Sequence, residues 1–244
     1  MLILIGNREL QKINLQWKDI RKMRLEMNNN VQLSHVLYRV QDLHTAVKKI
    51  QDVGFIVEYG TDPDKAYNAL IWFEKGVFIE IYHNSGLPGY IKWMMKIFGY
   101  QSVLERMRQW ENVKEGWCEW SLESTLENLN SEKQFFKNEN IGFRFHKAKR
   151  KDVYGNKLTW ELLMPDDIDF PFLMSAYLPD PRPKEVSHPN GIVGVRSIKV
   201  GADLLNTQVL NQLLINQEGL ELVQGKGLQT VEFINSDLKI ENIL

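Results

Sequence analysis

The predicted fold is α+β: paired βαβββ modules forming a curled sheet around a cavity, followed by a third, partial βαββ unit. Three features point to it. Apolar residues alternate from Leu33 to Val40, the period of a half-buried strand, and residues 77–82 read as a further strand. Residues 43–53 switch to the helical period, with Leu43, Ala46, Val47, Ile50 and Val53 on one stripe. The order strand, helix, three strands then recurs further along the chain, as an internal duplication would have it.

In the first module, residues 31–85, Asp42 caps the helix by accepting from the free amides of its first turn, and Gly54 suits the left-handed position that ends it. Residues 55–58 form a short strand, Gly60-Thr61-Asp62-Pro63-Asp64 a turn, and 68–73 and 77–82 two strands joined across Glu74-Lys75-Gly76. On the first strand Val36, Tyr38 and Val40 lie under the helix, which leaves His35, Leu37 and Arg39 on the other face. On the last strand Phe78, Glu80 and Tyr82 oppose Ile79 and Ile81. If the helix-free face is concave, His35 and Glu80 look into one cavity from neighbouring strands.

Residues 86–116 read as a helical linker that Gly99 divides in two. Its Trp, Met and Phe residues, interleaved with Lys and Arg, suit a mobile lid or a membrane-surface helix. Packing on the sheet or on a partner subunit is the weightier reading, since such residues are mostly core. The second module, residues 117–178, has strands at 117–122, 143–149, 157–164 and 170–177 and a helix at 126–140. Near its first-strand position the one good donor is Glu119, and near its last the choices are Phe172, Met174 and Ser175.

The third unit, residues 179–244, starts with the proline-spaced 178–183 segment. His188-Pro189-Asn190-Gly191 follows, either as a turn that launches the next strand or as a means of bringing His188 to the cavity. Then come a strand at 192–200, an Asp203-capped helix ended by Gly219, and strands 220–224 and 228–234 expected as a hairpin around Gly225-Lys226-Gly227. Val195 stands where the first module has His35.

Composition narrows the function. With 244 residues, 43% apolar and 25% charged, the chain can bury a real core. A net charge of −1 argues against nucleic acid as a partner. A single cysteine, Cys118, excludes an internal disulfide and suits a cytoplasmic protein, and no stretch approaches the ~20 apolar residues of a membrane span. Residues 1–30 read as a leader with a weak amphipathic helix over 10–27, and Met27 reads as an alternative to Met1 as the start. His146 lies in the basic, aromatic run 143–151, which reads as a solvated edge strand or as a site for an anionic ligand.

The segments Leu33-Ser34-His35-Val36, Val40-Gln41-Asp42-Leu43, Asn68-Ala69-Leu70 and Phe78-Ile79-Glu80-Ile81, with Gly54 and His188-Pro189-Asn190-Gly191, resemble the glyoxalase-like domain proteins of the glyoxalase / vicinal-oxygen-chelate superfamily. One departure is the Thr61-Asp62-Pro63-Asp64-Lys65-Ala66-Tyr67 segment, where members usually carry a His- and Gly-rich loop. The resemblance implies a divalent metal ion on His35 and Glu80, with His188 or Glu119 as a further ligand. It implies Glu80 or Glu119 as a proton carrier, and a small-molecule cavity walled by Asn68, Trp72, Phe78 and Tyr82.

The expected function is then a metal-dependent lyase, isomerase or dioxygenase acting on an oxygen-chelating substrate. The alternatives are a metal-free sequestering protein and an interaction protein that docks through the linker helices. A homodimer is the expected assembly.

Overall fold

The computed structural model describes residues 30–244. The helix expected over 10–27 and the start at Met27 lie outside them. The first module runs β1 (Val31–Arg39), α1 (Leu43–Asp52), β2 (Glu58–Tyr59), β3 (Asn68–Ile71) and β4 (Phe78–Tyr82). Helices α2 (Gly89–Ile97) and α3 (Gln101–Asn112) connect it to β5 (Gly116–Ser124), α4 (Asn130–Asn138), β6 (Phe143–Lys151), β7 (Lys157–Pro165) and β8 (Phe172–Met174). The third unit is β9 (Val195–Ala202), α5 (Leu204–Leu213), β10 (Leu220–Gln224) and β11 (Gly227–Phe233).

The two modules share one eight-stranded mixed sheet in the order β2-β3-β4-β1-β5-β8-β7-β6. In each module the first strand runs parallel to the last, β1 with β4 and β5 with β8, and the modules join where β1 and β5 pair antiparallel. The sheet curls until its outer strands approach: Arg150 on β6 donates to the Gly60 carbonyl just after β2, and the Tyr154 hydroxyl donates to Glu58 Oε2 at 3.2 Å. The result is a half-barrel with a concave face.

The convex face carries the core. Val36, Tyr38, Val40, Ile79, Ile81, Trp120, Leu122 and Leu173 pack there against Ala46, Val47 and Ile50 of α1, Phe135 and Phe136 of α4, and the third unit's Ile198, Val200, Leu210 and Phe233. Each large apolar side chain removed from water here contributes about 1.5–3 kcal/mol, so this face orders the strands whose opposite side forms the cavity. Asp42 caps α1 through Thr45 N at 2.7 Å, as expected.

The third unit forms a separate sheet in the order β10-β9-β11, so β10 and β11 are not the hairpin that the sequence led us to expect. They run antiparallel to one another with β9 between them, and alternation alone cannot tell which strand stands in the middle. Gly201 permits the arrangement, because the 225–226 connection crosses β9 directly above it. A Cβ at Gly201 would stand 2.2 Å from Lys226 N.

Of the linker helices, α3 buries Val103, Arg106 and Trp110, whereas α2 leaves Tyr90, Trp93 and Ile97 exposed, as is Phe98 just after it. No helix among the described residues is long and apolar enough to cross a membrane.

Candidate functional site

A β-bulge shapes the centre of the concave face. Leu33 pairs with Leu122 and Val36 with Trp120, so Ser34 and His35 together stand opposite Ser121. An extra residue in a strand turns two successive side chains to one side, and here Ser34 and His35 both reach polar partners on the concave side. His35 Nδ1 lies 2.7 Å from Ser121 Oγ and 2.9 Å from Ser34 Oγ. The Ser34 hydroxyl donates to Glu123 Oε2 at 3.0 Å, and Arg182 pairs with that same oxygen at 2.5 Å.

This network bears on the His35 tautomer. The single hydrogen of Ser34 is spent on Glu123, so towards His35 its oxygen accepts. Bonding of this kind favours the tautomer with the ring proton on Nδ1, which turns Nε2 towards Glu80 Oε2, 3.4 Å away. Phe78 stacks on the imidazole at 4.5 Å and Phe172 meets it edge-on at 5.6 Å. Burial, assisted by Arg182 and Arg150, pushes the His35 pKa from 6.5 down to about 3, so the ring is neutral.

Glu80 has the opposite bias. Desolvation raises its pKa, while a 2.8 Å hydrogen bond from Asn68 Nδ2 and the charge of Arg150 pull the other way. The pair lines a cavity of about 170 Å3 together with Asn68, Arg150, Tyr67 and Tyr82, and Trp110, Leu162, Met164 and Phe172 supply apolar walls.

The other residues singled out from the sequence lie elsewhere. Glu119 faces the concave side, but Arg106 holds its Oε2 at 2.5 Å, Trp110 Nε1 donates to the same oxygen at 3.0 Å, and Trp120 N donates to Oε1 at 3.0 Å. It is sealed beneath α3 and does not line the cavity. His188 is remote from it: Nδ1 accepts from Ile56 N at 2.9 Å, Nε2 donates to the Trp72 carbonyl at 3.0 Å, and the ring packs against Phe55 and Phe73. Its turn caps the end of α1, with Asn190 bonding the carbonyls of Val53 and Gly54. Both ring nitrogens are spent, so His188 has none to offer an ion.

Asn68 and Tyr82 line the cavity, while Phe78 lies behind His35 and Trp72 turns its Nε1 to Glu58 at 3.2 Å. Strand register also identifies the second module's counterparts. His35 and Phe78 are paired on β1 and β4 as Ser121 and Phe172 are on β5 and β8, which sets Met174 opposite Glu123 in the place that Glu80 takes opposite Leu37. Where the first module has an imidazole and a carboxylate, the second has a hydroxyl and a thioether. Sequence reasoning missed Ser34, Ser121, Glu123, Arg106, Arg150 and Arg182: the first three and Arg150 come together through strand pairing, Arg106 from α3 and Arg182 from the segment after β8.

With the geometry in place, comparison with known proteins agrees with the resemblance seen in the sequence. A family model of the glyoxalase-like domain matches residues 33–213. The chain belongs to that family. No curated protein matches it.

Among solved structures, a hypothetical protein from Staphylococcus aureus matches at 15% identity and a TM-score of 0.54, covering 85% of this chain and 93% of its own. The Mn(II)-bound glyoxalase from Novosphingobium aromaticivorans matches at 10% identity and a TM-score of 0.49, covering 87% of this chain and 68% of its own. The likeness to the first shows the fold alone.

Proposed function

We propose that the cavity is the active site of a lyase- or isomerase-type enzyme in which Glu80 takes up and returns a proton on a small oxygen-bearing molecule. The observation supporting this is a carboxyl group with a raised pKa, 3.4 Å from a neutral imidazole, in the wall of an apolar cavity. A buried carboxyl biased towards its protonated form can act as base and then as acid nearer neutral pH than an exposed one. His35, held by Ser34 and Ser121, keeps its Nε2 towards Glu80. Asn68 fixes the other carboxyl oxygen.

A divalent ion at the same pair is the second reading, favoured by the 3.4 Å separation. That is longer than a hydrogen bond, and two donors each about 2.1 Å from one ion stand at such a distance. His35 Nε2 and Glu80 Oε2 would hold the ion. It would supply Lewis-acid stabilisation of negative charge on substrate oxygens, the chemistry that lyases, isomerases and dioxygenases of this type need. Among the described residues no group of three His, Cys, Asp or Glu side chains is placed to hold a metal, so water and a chelating substrate would supply the remaining ligands. The expected homodimer finds its support in α2, whose exposed Trp93 and Ile97 offer a second copy an apolar face.

The test is a screen of enolisable, dicarbonyl and catechol compounds with wild type, His35→Ala and Glu80→Gln, alongside elemental analysis of protein prepared without chelators. Turnover without added ion that Glu80→Gln lowers by about 10²-fold or more supports the proton reading. Activity that follows near-stoichiometric metal, lost in both variants, supports the ion. Binding with no turnover under either condition overturns the enzyme reading and leaves a metal-free sequestering protein.

A further inference from the structure

We infer that Arg150 is a carboxylate anchor and that the cavity takes a small organic monoacid with an apolar, ring-sized body. This names the substrate class of the proposed active site and rests on that reading.

The first support is an imbalance of charge. Two other arginines near the site are neutralised, Arg106 by Glu119 and Arg182 by Glu123, each at 2.5 Å. On Arg150's own strand, Arg144 pairs with Asp166 and Lys147 with Glu161, each at 3.5 Å. Among the described residues Arg150 has no carboxylate partner. Its one hydrogen bond runs from Nη1 to the Gly60 carbonyl. A guanidinium has five N–H donors in a planar fork, so most of them remain unspent in the cavity wall.

The second support is placement. Arg150 lines the same cavity as His35, Glu80 and Asn68, and its charge lowers the pKa of both His35 and Glu80 without forming an ion pair with either. The Gly60 bond restrains one arm of the fork, which lessens the loss of freedom when an anion binds. A single guanidinium matches one carboxylate in bidentate fashion. A phosphate monoester would call for further donors, and among the described residues no other cation lines the cavity.

The third support is size and polarity. The cavity holds about 170 Å3, and an apolar cavity of roughly 150 Å3 accommodates benzene. Leu37, Trp110, Leu162, Met164 and Phe172 would enclose such a body, while the carboxylate reaches Arg150 and the carbon beside it faces Glu80. The bound anion would raise the Glu80 pKa further, towards the form that donates a proton.

The experiment compares phenylacetate with phenylacetamide by calorimetry and tryptophan fluorescence, on wild type, Glu80→Gln and Arg150→Met, with thermal melts to check folding. Wild type and Glu80→Gln should prefer the carboxylate by about tenfold or more, as a charge-assisted bond requires. Arg150→Met should bring the two probes within about threefold. Raising salt should weaken phenylacetate and not phenylacetamide on wild type, which tests the anchor even if Arg150→Met does not fold. Equal affinity in wild type, binding of neither probe, or a preference that survives in folded Arg150→Met overturns the inference. Binding is read without turnover, so an anchor that holds in an inactive protein sinks only the proposed activity.

Discussion

His35 Nε2 and Glu80 Oε2 face each other at 3.4 Å across neighbouring parallel strands, and the far nitrogen of the imidazole is held by two serines. The arrangement has a cost in acid. The His35 pKa is about 3 when folded against the 6.5 of an unperturbed imidazole, so between those values the unfolded chain binds more protons than the folded one. Stability is therefore full above 6.5 and falls as pH drops through the window, by up to about 1.4 kcal/mol per pH unit. Urea midpoints measured between pH 7.5 and 4 should decline, and His35→Gln should decline less steeply. Parallel curves for the two proteins would remove the assignment.

Glu80 gives a prediction of opposite sign. Its pKa lies above the ordinary 4.5 because burial outweighs the Asn68 hydrogen bond. Removing that bond in Asn68→Ala should move it higher still. Carbon NMR of the labelled carboxyl should report a midpoint above 4.5 in wild type and a further upward shift in the variant. An unchanged midpoint would mean that Asn68 does not act on the ionised carboxylate.

Much of this was legible in the sequence, and what was not has a common cause. Alternation in β1 and β4 placed His35 and Glu80 on one face, because a strand that buries its other face must alternate. The bulge was not legible, since an extra residue at Ser34-His35 keeps the same apolar and polar alphabet. Without it the partner of His35 could not be found, and Glu119 stood as the one good donor on the second module's first strand. Arg106 sits on α3 among residues that read as core, and nothing local marks it as the partner of Glu119. Arg150 was hidden in a basic run that reads as edge protection, which for Lys147 and Lys149 the structure bears out, both being exposed.

Arg106 and Glu119 form a structural pair. Arg106 is fully buried and bonds the carbonyls of Asp167 and Phe170 as well as Glu119. Arg106→Met alone strands a buried carboxylate and should cost about 3–5 kcal/mol. The double variant Arg106→Met/Glu119→Gln should recover part of that loss, because no charge is left unpaired. Glu119→Gln by itself should leave phenylacetate affinity within about twofold, since Glu119 does not line the cavity. A tenfold change in affinity would return Glu119 to the site.

The two buried histidines should part company under substitution. His188 is 4% exposed and serves two backbone groups, the Ile56 amide and the Trp72 carbonyl. His188→Leu leaves both without a partner in an apolar setting, and each such group costs about 1–3 kcal/mol. The variant should lose roughly 2–6 kcal/mol on that basis, measurable by urea unfolding, with cavity ligand affinity and any metal uptake unchanged. His35→Gln should show the reverse, losing function with a smaller loss of stability at neutral pH, because glutamine can still bond Ser34 and Ser121. If His188→Leu instead keeps its stability and loses ligand or metal binding, the turn it sits in belongs to the site after all, and the cavity extends past the end of α1.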